Sequence, residues 1–210
     1  MTLGDGSLLA VVADGMGGHA GGAVASKLAA DAFVDAVEQG GGLADGLKDA
    51  NAAVGKGTVG KPQLAGMGAT LVAAHLRGDE VRWISVGDSP FFLIEAGRIE
   101  RLNADHSMAP QIDAMVARGL ITEEEAEHHP GRHTLREAVM GDPLTLIDNG
   151  SRRLGPDARL LVCSDGIQSL KMEQILGQIG RPVDGIIEAV LATAKEYQDN
   201  VTVVKLERAR

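Results

Sequence analysis

The stretch LLAVVADGMGGHAGG, residues 8–22, joins a short apolar run to an acidic residue and a cluster of glycines. The apolar run ends at Asp14, and the glycine-dense loop after it opens an alanine-rich segment with helical spacing. Burying a carboxylate without a partner is costly, so Asp14 is expected to meet a hydrogen-bond donor, a cation or a metal ion. The stretch therefore predicts a strand at 8–13, a functional loop, and a helix at 22–37.

Acidic residues also stand at the ends of other predicted strands. The pattern VRWISVGD ends in Asp88 and RLLVCSD ends in Asp165, whereas Asp199 comes directly before the last apolar run. We expect these three acids and Asp14 to converge at one point of a sheet-based fold. Converging carboxylates in a low-dielectric site would take up protons or bind divalent cations, and ligands that are all oxygen favour Mg²⁺ or Mn²⁺.

Length and composition favour a single globular domain over residues 1–210. A hydrophobic fraction of 44% is enough for a sizeable core. The formal net charge of −9 argues against broad binding to nucleic acid or to anionic membranes, which both need a basic surface. The one cysteine, Cys163, lies in an apolar strand pattern and is expected to be a buried thiol. Because no signal peptide and no membrane-length apolar run are found, the sequence predicts a cytoplasmic protein.

The remaining patterns predict sheets with helices packed on their outer faces. The middle of the chain reads as one meander of antiparallel strands. Residues 103–143 are richer in charge and histidine, and we interpret them as a flap with a short helix around Ile112 and an acidic turn at 123–125. The other predicted elements are helices at 43–54 and 182–197 and strands at 68–76, 80–86, 90–95, 98–102, 144–154, 159–165 and 201–206.

The histidines of the flap have two interpretations. His128, His129 and His133 could ligate a metal ion, but Pro130 and Gly131 break the helical spacing that would align them. A solvated polar loop is therefore the favoured interpretation.

The glycine loop after Asp14 also has an alternative. Its spacing fits the glycine pattern of a dinucleotide-binding loop that follows a strand and opens a helix. Asp14 would then place a negative charge beside the pyrophosphate, and antiparallel hairpins follow where that fold needs a parallel strand. An Asp-Gly pair at a strand end is also a common turn, so each motif taken alone is weak.

Six motifs in order give the chain a resemblance to the metal-dependent Ser/Thr protein phosphatases of type 2C, the PPM family. These motifs are VADGMGGHAGG, GATLV, ISVGDSPFFL, LNADHS, LLVCSDG and QDNVTVV. The chain is most similar to the bacterial branch of the family, and the resemblance runs from about Leu8 to Leu206. It implies an α+β fold, a four-layer α-β-β-α sandwich of two antiparallel sheets flanked by helices.

The resemblance also implies a role for each acid. Asp14 would bridge two metal ions, and the Gly15 carbonyl would ligate one of them. Asp165 and Asp199 would hold the first metal, and Asp88 would help Asp165 to bind a weaker third one. The implied cofactors are therefore two Mn²⁺ or Mg²⁺ ions, and the position of Asp88 implies a third, weaker ion. The implied reaction is hydrolysis of phosphoserine or phosphothreonine in proteins by a hydroxide that bridges two metals, and the implied partners are phosphorylated substrates and a Ser/Thr kinase or its targets.

One departure from the family pattern concerns the start of the chain. Family members normally carry an upstream strand with an Arg that grips the substrate phosphate and an Asn-Glu-Asp or Asn-Gln-Asp motif that supports the metals, whereas residues 1–13 contain no Arg, Asn or Glu. We expect a form that lacks the first strand, with an unpaired sheet edge open to association. The absent Arg supports a second hypothesis, a catalytically weak or inactive relative that binds metal or phosphoprotein as a regulator, whereas the retained acids favour the active enzyme.

Overall fold

The apolar runs of the sequence form short antiparallel strands. The structure is a computed structural model that describes residues 1–193 and 199–207. The strands in this part of the chain are β1 (Leu8–Val12), β2 (Gly15–Met16), β3 (Gly68–Ala69), β4 (Leu71–Arg77), β5 (Glu80–Val86), β6 (Phe91–Glu95), β7 (Arg98–Arg101), β8 (Asp148–Arg153), β9 (Arg159–Cys163) and β10 (Val203–Glu207).

These strands make two four-stranded sheets and one short pair. The first sheet has the order β1-β4-β5-β8, the second has the order β10-β9-β6-β7, and β2 pairs with β3. All of the pairings are antiparallel. The dinucleotide-binding interpretation needs a parallel sheet. It is wrong, because these strands pair antiparallel.

Helices cover the outer face of each sheet. The described helices are α1 (Gly18–Glu38), α2 (Leu43–Thr58), α3 (Ala109–Ala117), α4 (Glu123–Glu127), α5 (Met172–Gln178) and α6 (Val183–Leu191). Phe33 of α1 and Leu47 of α2 pack on the first sheet. Ile175 of α5 and Ile186 of α6 pack on the second. Both sheets therefore bury apolar residues on both faces, as a layer between other layers must.

A third core lies between the sheets. Val72 and Trp83 from the first sheet meet Phe91 and Leu160 from the second. The rings of Trp83 and Phe91 are 5.8 Å apart between centroids and tilted by 58°, a favourable arrangement for an aromatic pair. The predicted four-layer α-β-β-α sandwich is confirmed, and Cys163 is fully buried as expected.

The predicted single meander is wrong at one point. The hairpins β4-β5 and β6-β7 form as expected, but β5 and β6 belong to different sheets. The chain crosses between the sheets at residues 87–90. Gly87 has a φ of +97° there, which residues with a side chain rarely adopt. Apolar alternation predicted the strands but could not show which sheet each strand joins, because both sheets are covered on both faces.

Several predicted bounds also need correction. The first helix begins at Gly18 rather than at 22, and the second continues to Thr58. The acidic turn at 123–125 is instead the start of α4, which Thr122 caps by accepting a hydrogen bond from the Glu125 amide at 3.1 Å. The strand expected at 144–154 is limited to β8. Of the helix predicted at 182–197, α6 forms the first part, and residues 194–198 lie outside the described residues.

The strand β1 lies at the edge of the first sheet, as expected. The chain before it folds back onto its beginning: the Met1 amino group donates to the Leu9 carbonyl at 2.8 Å, and the Leu9 amide donates to the Met1 carbonyl at 3.0 Å. A single bridge joins Thr2 to Leu8. The first residues thus pair with one end of the outer edge of β1. The sequence had predicted that this edge would be unpaired.

Candidate metal centre

The four predicted acids meet at one end of the sandwich. Asp14 follows β1, Asp165 follows β9, Asp199 precedes β10, and Asp88 lies in the crossing between β5 and β6. All four line one cavity of about 580 Å³, and Gly15 lines it with them. The convergence predicted from the strand ends is therefore present in the structure.

Antiparallel pairing of β9 with β10 brings Asp165 and Asp199 together. The residue before Asp165, Ser164, donates its amide to the Thr202 carbonyl at 3.0 Å. The Ser164 hydroxyl accepts from the Thr202 amide at 2.9 Å and donates to the Asn200 carbonyl at 3.2 Å. Three hydrogen bonds thus fasten the end of β9 to the residues before β10, with Asp165 directly after this connection and Asp199 directly before it.

Thr70 joins Asp14 to the loop that carries Asp88. The Thr70 amide donates to the Asp14 carbonyl at 2.8 Å, and the Asp14 amide donates to the Thr70 hydroxyl at 3.2 Å. The same hydroxyl is 2.6 Å from the hydroxyl of Ser89. A buried hydroxyl shared in this way fixes the distance between the two loops. Arg101 holds the Asp88 loop from its other side by donating to the Asp88 carbonyl at 2.8 Å.

The LNADHS motif supports this loop from behind. The Asn103 side chain is buried; its oxygen accepts from the Phe91 amide at 2.8 Å, and its nitrogen donates to the Ser89 carbonyl at 2.9 Å. The His106 amide donates to the Gly87 carbonyl at 3.1 Å. The motif therefore positions Asp88 rather than lining the cavity.

Crowding of the acids perturbs their titration. Burial, and then the charge of Asp165, raise the pKa of Asp14 to about 7. Burial and the charges of Asp165 and Asp105 raise the pKa of Asp88 to about 7, although Arg101 opposes this. The pKa of Asp165 is raised as well, by burial and by the charge of Asp199. Without a cation, the site therefore retains protons near neutral pH.

The donor set fits a divalent cation. The Oδ1 atom of Asp165 is buried and accepts no hydrogen bond from any described residue. An unsatisfied buried carboxylate oxygen is expensive unless a cation or water meets it. The acids around it supply only oxygen donors, which hard ions such as Mg²⁺ and Mn²⁺ prefer. In the described chain, no group of three or more His, Cys, Asp or Glu side chains is already arranged to hold a metal ion. Coordination would therefore require the carboxylates to turn toward one point.

The raised pKa values predict an unusual pH dependence of stability. Asp14 and Asp88 bind protons in the folded protein up to about pH 7 but in the unfolded chain only up to about pH 4, so the metal-free protein should lose stability as pH rises between these values. Urea unfolding in EDTA should show a lower midpoint at pH 8 than at pH 5. Burial lowers the pKa of His75 and of His106, and these two groups make stability rise with pH instead. The matched comparison is therefore Asp14→Asn, whose stability should fall less between pH 5 and pH 8 than that of the wild type. An equal pH slope in the two proteins would contradict the assignment.

The flap forms the other wall of the cavity. The sequence predicted the flap but not which of its residues face the cavity. This wall is formed by His133, Thr134, Leu135, Arg136, Glu137, Ala138, Met140 and Asp142. Two of the three flap histidines make local hydrogen bonds. His128 bonds to the Glu124 carbonyl at 2.9 Å, and His129 accepts from the Gly131 amide at 3.1 Å. The third, His133, lines the cavity. No periodicity in 103–143 could have identified these residues. The only signal was the position of the segment between two motifs.

The base of the flap is fastened to α2. The Asn51 oxygen accepts from the amides of Met140 at 3.1 Å and Gly141 at 2.9 Å, and its nitrogen donates to the Asp142 carbonyl at 2.7 Å. Gly55 and Gly141 allow the two backbones to touch, since a Cβ on Gly141 would lie 2.4 Å from the Gly55 Cα. This wall of the cavity therefore depends on a contact between residues about 90 positions apart.

Two packed antiparallel sheets, helices on both outer faces and a carboxylate-lined cavity at one end define an α-β-β-α sandwich with an oxygen-donor site. The chain belongs to the protein phosphatase 2C family, whose model matches residues 1–205. The resemblance inferred from the six motifs is thus confirmed.

Named relatives agree with this family. The chain is 35% identical over 212 residues to the serine/threonine protein phosphatase PstP of Mycobacterium tuberculosis, covering 95% of this chain and 40% of the relative. It is 30% identical over 220 residues to the serine/threonine phosphatase stp of Listeria monocytogenes, covering 97% and 86%. The chain thus spans about 40% of the length of the M. tuberculosis relative that it matches.

A solved structure of the family contains metal. It is the catalytic domain of a serine/threonine protein phosphatase PstP, described as a complex with two manganese ions. This chain is 31% identical to it with a TM-score of 0.75, and the match covers 94% of this chain and 86% of the other.

Proposed function

We propose that this protein is a metal-dependent protein serine/threonine phosphatase that hydrolyses phosphoserine and phosphothreonine. The observation that carries the proposal is the convergence of four acids on one cavity, where a buried oxygen of Asp165 accepts no hydrogen bond from the residues that the structure describes. Such a cluster is stable in its ionised form only with a cation among its members. Membership of the type 2C family supports the same reaction.

The proposed ligands are the residues predicted from the sequence. Asp14 would bridge two Mn²⁺ or Mg²⁺ ions, with the Gly15 carbonyl on one of them, and Asp165 and Asp199 would hold the first. Asp88 would join Asp165 around a third, weaker ion. When bound, the ions supply Lewis acidity and an activated water for attack on phosphorus.

The chain itself fixes the backbone that carries these ligands, so that only the carboxylate groups have to turn to meet a metal ion. Thr70 fixes Asp14 relative to the Asp88 loop, and Ser164 fixes Asp165 relative to the loop of Asp199. Ligands that are placed before the substrate arrives need little reorganisation during the reaction. The flap forms one wall of the cavity, beside which the phosphorylated segment of a protein would bind.

Removal of metal tests the proposal. We expect the 210-residue chain to hydrolyse p-nitrophenyl phosphate and a phosphothreonine peptide in Mn²⁺ or Mg²⁺, and to lose this activity in EDTA, because the acids alone provide no nucleophile of sufficient strength. Release of phosphate is measured before and after addition of excess Mn²⁺ to the EDTA-treated sample, which should restore the rate. Activity that persists in EDTA would contradict a metal mechanism.

The alternative of a regulatory module has a distinct outcome in the same experiment. A chain that binds Mn²⁺ in calorimetry but releases no phosphate from either substrate would be a catalytically inactive relative. The retained acids favour the enzyme, since a module that only binds phosphoprotein has no need of a water-activating site.

Further properties stay predictions. Residues 1–210 are proposed to form one phosphatase domain with a flap at 103–143, acting on the products of a Ser/Thr kinase. The edge of β1 is proposed as a place of association with another chain. None of the helices in the described part combines the length and hydropathy that crossing a bilayer requires. The cytoplasmic location and the lack of nucleic-acid binding stay predictions of the sequence.

A further inference from the structure

The cavity has a strongly unequal balance of charge. Among the described residues that line it, six are acidic: Asp14, Asp88, Glu137, Asp142, Asp165 and Asp199. The only basic ones in this set are His133 and Arg136. A phosphate monoester carries up to two negative charges near neutral pH, and the proposed metal ions would offset much of the acidic charge that repels it. A cationic side chain at the rim can contact the phosphoryl group directly, and in this set Arg136 carries the permanent positive charge of a guanidinium.

The guanidinium group of Arg136 is not used in an ion pair within the described structure. Neighbouring arginines are: Arg101 pairs with Asp105 at 2.9 Å, and Arg132 pairs with Asp113 at 2.7 Å. Arg136 is exposed and forms no salt bridge with any described acid, although acids lie all around the cavity. Its charge is therefore available to an anion from solution.

One hydrogen bond orients the side chain. With the Gln111 amide turned so that both of its ends are satisfied, Gln111 donates to the Ser107 carbonyl at 3.1 Å and accepts from Nη1 of Arg136. A guanidinium has five N–H donors, and the other donors of Arg136 bond to no group in the described part of the chain, which leaves them for a ligand. Gln111 belongs to α3, which places the orienting contact inside the flap.

The backbone of Arg136 is also fixed. Its amide donates to the His106 carbonyl at 2.8 Å, and the Met108 amide donates to the Thr134 carbonyl at 2.9 Å. A bridge pairs Ser107 with Leu135 between them. The segment at 134–136 is thus fastened to the motif that holds the Asp88 loop, so Arg136 keeps a defined position relative to the acids.

We infer that Arg136 binds the phosphoryl group of the substrate at the rim of the carboxylate cavity. This inference rests on the proposed phosphatase function and adds a substrate-binding residue that none of the six sequence motifs contains. The planar guanidinium matches two phosphate oxygens at once, which a lysine ammonium cannot do. The ligand class is a phosphate monoester or inorganic phosphate, the product of the reaction.

Product inhibition tests this role directly. Inorganic phosphate is titrated against hydrolysis of p-nitrophenyl phosphate at saturating Mg²⁺ for wild type, Arg136→Gln and Arg136→Lys. Loss of a charged hydrogen-bonding partner should raise the inhibition constant of phosphate by roughly 10- to 100-fold in Arg136→Gln. Arg136→Lys, which keeps the charge but loses the two-pronged geometry, should fall between the two.

The matched control is Arg118→Gln. Arg118 lies in the same segment, is exposed, forms no ion pair with a described residue and does not line the cavity, so its removal makes the same change in net charge. Its phosphate inhibition should equal that of the wild type. The apparent Mg²⁺ requirement should stay unchanged in Arg136→Gln, because the inference concerns phosphate and not metal.

Failure of the inference can be told from failure of the proposed function. Active wild type with the same phosphate inhibition in Arg136→Gln would overturn the role of Arg136 and leave the phosphatase in place. If the wild type has no activity, the proposed function fails, and phosphate binding is then measured by calorimetry in Mg²⁺. Equal affinities of wild type and Arg136→Gln there would overturn the inference, whereas weaker binding by Arg136→Gln alone would support it.

Discussion

Asp165→Asn is expected to reduce Mn²⁺-dependent hydrolysis of p-nitrophenyl phosphate by about 1000-fold or more, and to make the metal-free protein more stable. The first effect follows because Asp165 is proposed to hold both the first ion and the third. Loss of the Asp165 carboxylate removes a negative charge that would hold the cations, so the metal ions bind more weakly. Metal-based activation of water contributes several kcal/mol to such reactions, and this contribution would be lost with the metal.

The gain in stability has a separate cause. The charge of Asp165 raises the pKa of both Asp14 and Asp88, so its carboxylate repels two neighbours at once. An asparagine of nearly the same shape has no charge and can donate a hydrogen bond to Asp14. Since both groups are partly solvated, we expect a gain in the free energy of unfolding on the order of 1 kcal/mol at pH 8. Opposite effects on activity and stability distinguish a functional acid from one that merely completes the fold.

Asp157→Asn is the matched control for this substitution. Asp157 is exposed in the turn before β9, whereas Asp165 follows the end of the same strand, and the change in net charge is identical. Its activity should equal the wild type, and its stability should change by less than about 0.5 kcal/mol. Mn²⁺ affinity is measured by calorimetry, and stability by urea unfolding in EDTA. Wild-type Mn²⁺ affinity in Asp165→Asn would remove Asp165 from the proposed site.

Three of the four acids could be predicted from the sequence because each stands where an apolar run stops, whereas Asp199 stands where one begins. Asp14, Asp88 and Asp165 end strands that the hydrophobic pattern locates closely, and ends of strands at the same side of a sandwich lie close together. This argument needs only local sequence. The six motifs and their order then added the family, which local patterns alone would not have identified.

The rest of the cavity depends on contacts that no local pattern records. Arg136 reaches the rim through backbone bonds with 106–108, and Asn51 fixes residues 140–142 from a helix far away in sequence. Such pairings are chosen during folding among many polar candidates in a segment without periodicity. The crossing from β5 to β6 was missed for a related reason, since strands buried on both faces carry no mark of the sheet they join.

Gly166→Ala is the second substitution for which we expect a large effect, although it removes no acid. A Cβ on Gly166 would lie 2.3 Å from the Asn200 carbonyl oxygen and 3.3 Å from the Val201 Cα. These atoms belong to backbone, so they cannot turn aside as the end of a side chain would. The loop after β9 and the loop before β10 would have to separate, and Asp165 and Asp199, the neighbours of these two contact points, would move apart.

We expect this separation to cost roughly 1–3 kcal/mol of stability, as overpacking of a tight contact usually does. Activity should fall by about 100-fold or more, because a displacement of about 1 Å in a positioned group is enough for that. Mn²⁺ should bind more weakly, and a high Mn²⁺ concentration should recover part of the activity, since all four carboxylates are still present. Asp165→Asn should recover none, so Mn²⁺ titration separates a displaced ligand from a missing one.

Gly177→Ala gives the matched control for the added methyl group. Gly177 lies in α5, and a Cβ there would have no atom within 4 Å, so the change should raise stability by about 0.5–1 kcal/mol through helix propensity and leave activity unaltered. If Gly166→Ala retained both wild-type activity and wild-type Mn²⁺ affinity, the close contact of the two loops would not set the spacing of Asp165 and Asp199. If activity were lost while Mn²⁺ affinity stayed unchanged, the contact would act on the substrate rather than on the metal ligands. A joint decline that excess Mn²⁺ partly reverses is the result expected when a backbone contact at Gly166 determines the geometry of the metal site.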